Sequence, residues 1–108
     1  MVTSKVKKTK PPTCPVSATV RIMGGKWKPT IIYYLLTGAK RFNELQRLTG
    51  NPSARILTAQ LRELETDKII KREVYEQIPP KVEYSLTGKG KSLNSVLDVM
   101  AKWGLENN

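Results

Sequence analysis

Apolar residues recur at helical spacing along most of this chain and switch to strand spacing once. After Cys14, the residues Val16, Ala18, Val20, Ile22 and Met23 run up to Gly24-Gly25. Proline suits the first helical position and glycine the exit, so a short helix from Pro15 to Met23 is predicted. A second helix begins around Lys26, where Trp27, Ile31, Tyr34 and Leu35 repeat at i, i+4, i+7 and i+8 on one face, Pro29 is tolerable in the first turn, and Thr37-Gly38 closes the element. Ala39 to Arg41 leaves room only for a strand stub. Phe42, Leu45 and Leu48 mark a third helix that ends at Gly50, and Asn51-Pro52 makes a tight turn.

Ser53 is a good cap for a fourth helix over 53–67, because its hydroxyl can accept a hydrogen bond from an amide that has no partner in the first turn. Leu57, Leu61 and Leu64 lie within roughly 60° of one another at about 100° per residue, which makes them the buried side. Arg55, Thr58, Ala59, Arg62 and Thr66 then face outward. Beyond Asp67 the period changes. Ile69 to Glu76 alternates in part, Gln77-Ile78-Pro79-Pro80 turns, and Val82, Tyr84 and Leu86 alternate cleanly with Lys81, Glu83 and Ser85. Thr87 caps a last helix with Leu93, Val96, Leu97, Met100 and Trp103 at i, i+3, i+4, i+7 and i+10. Helix, turn, helix and β-ribbon in that order are a winged helix-turn-helix. The expected fold is therefore mainly α with a small β-hairpin wing over 70–86, extended by extra N- and C-terminal helices.

Composition adds the partner. The 108 residues suffice for one domain, over 14–108, and 19 Lys and Arg against 9 Asp and Glu give a net charge of +10. Such a balance is expected where Lys and Arg displace counterions from a phosphate backbone. Residues 1–13 contain Lys5, Lys7, Lys8, Lys10 and Pro11-Pro12 with few large apolar side chains, and are expected to be a disordered basic arm. No apolar run approaches the roughly 20 residues that span a bilayer, and no signal-peptide core follows the first lysines, so a cytoplasmic protein with no membrane partner is expected. The chain has one cysteine and no histidine, and Gly24-Gly25-Lys26 lacks the spacing of a phosphate loop. No metal, no cofactor and no enzymatic activity are expected.

The outward face of the fourth helix is the best candidate for chemistry. Exposed helix faces are polar by default, yet here two arginines, a threonine and a small alanine sit in the first two turns after a tight turn. That is where a recognition helix enters the major groove, and these side chains suit guanine edges, phosphates and thymine methyls. Glu63, Glu65 and Asp67 fall in the later half. The candidate DNA-binding set is Arg41, Ser53, Arg55, Thr58, Ala59 and Arg62, with Lys71, Arg72 and Lys81 on the wing. Glu73, Glu76 and Glu83 dilute the charge of the wing, so its contact is expected to be the weaker one. The apolar stripe of the last helix exceeds what a small winged domain needs, and an exposed stripe of that length is a liability on a monomer. A homodimer joined by Val16, Val20, Leu93, Val96, Leu97, Met100 and Trp103 would cover it and set two recognition helices about one DNA turn apart.

These segments together resemble a known family. Cys14-Pro15-Val16, Gly24-Gly25-Lys26-Trp27, Arg41-Phe42-Asn43-Glu44-Leu45, the run from Leu57 to Leu64, and Val82-Glu83-Tyr84-Ser85-Leu86-Thr87 are similar to successive signatures of the HxlR-type winged-helix transcriptional regulators. The similarity spans nearly everything from Cys14 to Gly104. It implies a homodimeric bacterial regulator, with a fold related to MarR-type proteins, that binds an inverted-repeat operator in double-stranded DNA through the fourth helix and the wing. It also implies that Cys14 stands where several members sense oxidants or electrophiles, through a small thiol, an oxidant or a quinone. Two positions depart from the family pattern: Asn51-Pro52, where glycine and an aliphatic residue are more usual, and Gly88, where proline is common.

Chemistry also bears on Cys14. It precedes a proline at a helix start, with lysines upstream, and both features favour the thiolate. A lone cysteine also serves as a small half-buried hydrophobe. If it is oxidised, the products open to it are a bond between subunits, a mixed disulfide with a small thiol, or a higher acid of sulfur. Two other readings of the chain stand beside operator binding: a winged-helix module for protein–protein interaction, and an RNA binder without operator specificity.

Overall fold

A computed structural model describes residues 14–108. The basic arm expected over 1–13 lies outside the described residues. Eight elements follow in order: α1 (Pro15–Met23), α2 (Lys28–Leu35), α3 (Phe42–Leu48), α4 (Ala54–Thr66), β1 (Ile70–Tyr75), β2 (Lys81–Leu86), α5 (Gly88–Lys91) and α6 (Asn94–Asn107). The strands pair antiparallel with Ile70 opposite Leu86, Arg72 opposite Tyr84 and Val74 opposite Val82. The stub before α3 joins them as a single bridge: the Lys40 amide donates to the Tyr84 carbonyl at 2.9 Å, and the Tyr84 amide donates back at 2.8 Å.

The core lies where α2, α3 and α4 meet the base of the hairpin. Ile31, Ile32, Leu45, Leu57 and Leu64 are fully buried, joined by Leu61, Ile69, Ile70 and Leu86. Fully burying one such side chain is worth about 1.5–3 kcal/mol, so this cluster is what orders α4 against the rest. The turn before α4 is fixed by its own bonds. Gly50 and Asn51 both have left-handed backbone, at φ 97° and 57°. Asparagine is among the few residues besides glycine that adopt it readily, which explains how Asn51 fills this position. The Asn51 amide donates to the Gln46 carbonyl at 2.8 Å, and the Gln46 side-chain amide donates to the carbonyl of Pro52 at 2.9 Å.

Two helices differ from expectation. α2 starts at Lys28 rather than Lys26, with Trp27 as its cap. The expected last helix is two: Thr87 caps only the single turn of α5, and α6 restarts after Leu93. The cause is local. Gly88-Lys89-Gly90 is a weak helix former, and the Leu93 amide bonds to the Gly90 carbonyl at 3.1 Å, a tighter turn than an α-helix makes. α5 is pulled in against the start of β1, because the Thr87 hydroxyl lies 2.6 Å from the Lys68 carbonyl and accepts from the Gly90 amide at 3.1 Å.

Candidate nucleic-acid interface

α4 begins as its cap predicts, with the Ser53 hydroxyl accepting from the Ile56 amide at 3.1 Å. The three leucines turn inward, and Arg55, Ala59, Arg62 and Thr66 are exposed, with Thr58 half-buried at the edge of the face. Among the described residues neither Arg55 nor Arg62 has a carboxylate within ion-pair distance. Both guanidiniums are thus available to an external acceptor. Arg41 caps α3: its amide donates to the Glu44 carboxylate at 2.9 Å while its side chain stays exposed. Exposed Ile56, on the flank of α4, was not singled out by sequence reasoning, because its place in the apolar pattern reads as core.

The wing divides its charges. Register places Arg72 on the same face as Val74, Tyr84 and Val82, whereas Lys71 and Lys81 lie on the other face with Glu73 and Glu83. Lys81 is engaged within the hairpin, 3.5 Å from Glu83 and 4.9 Å from the centre of the Tyr75 ring. Glu73 in turn raises the Tyr75 pKa. The three basic wing residues are therefore not one patch, and the exposed tip is mostly apolar, at Val74 and Ile78.

Cys14 is the N-cap of α1, exposed and in extended backbone. The amide of Ser17 first, then that of Val16 and the Ser17 hydroxyl, hold its thiol below the ordinary value, with burial opposing only weakly. The helix start acts as the sequence suggested. Ser17 was missed, although a hydroxyl three residues after a cap is a recognisable signal. The upstream lysines lie outside the described residues.

The family model described as HxlR-like helix-turn-helix matches residues 22–108. The HTH-type transcriptional regulator YdeP of Bacillus subtilis (strain 168) is 55% identical over 91 residues, covering 84% of this chain and 71% of YdeP. This chain belongs to the HxlR family. A structure of the redox regulator HypR in its oxidised form matches with a TM-score of 0.84 and 50% identity, over 88% of this chain and 98% of HypR. Diamide-treated YodB from B. subtilis matches at 0.71 and 34%, over 88% of this chain and 95% of YodB. The HxlR-type fold, mainly helical with a two-stranded wing, is thereby established, and the chain is a transcriptional regulator of helix-turn-helix type rather than an enzyme.

Within this HxlR-type chain, the terminal helices expose several large apolar side chains. Val16 and Val20 of α1 and Val96, Met100 and Trp103 of α6 are exposed, Trp103 at 67%. A groove of about 450 Å³ runs between the two helices, lined by Val16, Val20, Met23, Val96 and Met100. Two of the residues expected on this surface belong elsewhere. Leu97 is 3% exposed in the chain's own core, and Leu93 packs half-buried against that core, because α6 must itself be anchored. Val99 and Leu105 are exposed in addition, off the stripe that the sequence marked. No helix among the described residues is long and apolar enough to cross a membrane.

Proposed function

We propose that this protein is a homodimer that binds an inverted-repeat operator in double-stranded DNA through α4, and that thiol chemistry at Cys14 switches the binding. Arg55, Thr58, Ala59 and Arg62 read base edges, Arg41 and Ser53 position the helix end on phosphates, and the wing adds Lys71, Arg72 and Lys81 as weaker contacts. One observation carries the reading: two exposed arginines without carboxylate partners among the described residues share the outward face of a capped helix, directly after a helix-turn-helix turn. The exposed residues of α1 and α6 supply the pairing surface. HypR is a redox regulator, which supports the same role for the lowered thiol of Cys14.

Substitution separates base reading from phosphate attraction. If either arginine reads a base, Arg55→Ala or Arg62→Ala costs about 1–3 kcal/mol on a selected operator and much less on random duplex. A loss equal on both duplexes assigns that arginine to a phosphate.

A further inference from the structure

Lys28 is the one charged residue that the fold buries among the described residues, at 9% exposed. It sits in the first turn of α2, and its ammonium donates to Oε1 of Glu63 on α4. Glu63 is next to Arg62 and one turn beyond Ala59. At about 100° per residue it lies roughly 80° from the centre of the outward face, at its edge. The other anchors of α4 are Leu57, Leu61 and Leu64, and apolar burial is non-directional. An ion pair is directional, and a buried ammonium without its partner is strongly disfavoured.

We infer that Lys28 is a positioning residue: through Glu63 it fixes the rotation of α4 about its own axis, and so determines how well the regulator discriminates its operator from other DNA. The inference rests on the operator-binding reading. The leucines hold α4 in the molecule, and the Lys28–Glu63 pair holds its face in register with the groove. Pairing also neutralises a carboxylate, 57% exposed, that borders the face offered to phosphates.

The test compares a selected inverted-repeat duplex with random duplex for the full chain and three variants. Replacing an ion pair with a buried member by uncharged residues is often neutral or stabilising, so the Lys28→Met/Glu63→Gln double variant folds with a melting temperature near or above the wild type. Its preference for the operator, and that of Lys28→Met, falls at least about fivefold, the least that one well-placed base contact supplies. Lys28→Arg, which keeps a cation opposite Glu63, retains the preference. Undiminished preference in the folded double variant would overturn the inference, as would equal weakening on both duplexes. A wild-type chain without any preference would instead overturn the operator reading itself.

Discussion

Cys14 shows how much of a site one residue's neighbours decide. The amides of Ser17 and Val16 at the helix start hold its thiol below the ordinary value, so the thiolate is stabilised while the residue remains exposed. Because the pKa is lowered, the reactive form persists to lower pH than in a free thiol, which titrates near about 8.5. The alkylation rate of the reduced protein should therefore have its midpoint below that value, declining only as pH falls through the lowered pKa. Ser17→Ala should move the midpoint upward. A wild-type midpoint at or above that of a free thiol removes Cys14 from the mechanism. The sequence showed the helix start and the proline at its head, but not the contribution of Ser17. Lys28 was hidden more completely, since a lysine reads as solvated and its partner is 35 positions away. Glu63 accordingly read as one of the acids kept away from DNA, when it is half of an internal pair.

At the scale of elements, regular periodicity was legible and its interruptions were not. The faces of α4 follow from Leu57, Leu61 and Leu64, and the two faces of the hairpin follow from alternation; both stand as predicted. The break between α5 and α6 joins the weak helix formers Gly88 and Gly90 to a close approach to Ile69 that the local sequence does not announce. A Cβ on Gly90 would lie 2.2 Å from the Ile69 carbonyl, so the strand and the turn meet only because the side chain is absent. Gly90→Ala should cost about 1–3 kcal/mol as overpacking does, and lower the melting temperature by more than about 4 °C. An unchanged melting temperature contradicts this account of the break. Leu93, at the cap of α6, and Leu97 one turn on face the core, and the outward apolar surface comprises Val96, Val99, Met100, Trp103 and Leu105.

Under the proposed function the molecule divides into a reading half and a pairing half. α3, α4 and the hairpin form the HxlR-type reader, while α1 and α6 expose the apolar groove that a second copy would cover. A net charge of +10 draws the protein to any nucleic acid. Charge does not supply discrimination. In the proposed dimer two recognition helices held about one DNA turn apart would supply it, because each half-site of an inverted repeat would then meet the same face. Competition at moderate salt between a selected inverted-repeat duplex and random duplex tests this most directly. The account predicts that the repeat wins by at least about a thousandfold. Equal competition by random duplex, or stronger competition by structured RNA, would contradict it.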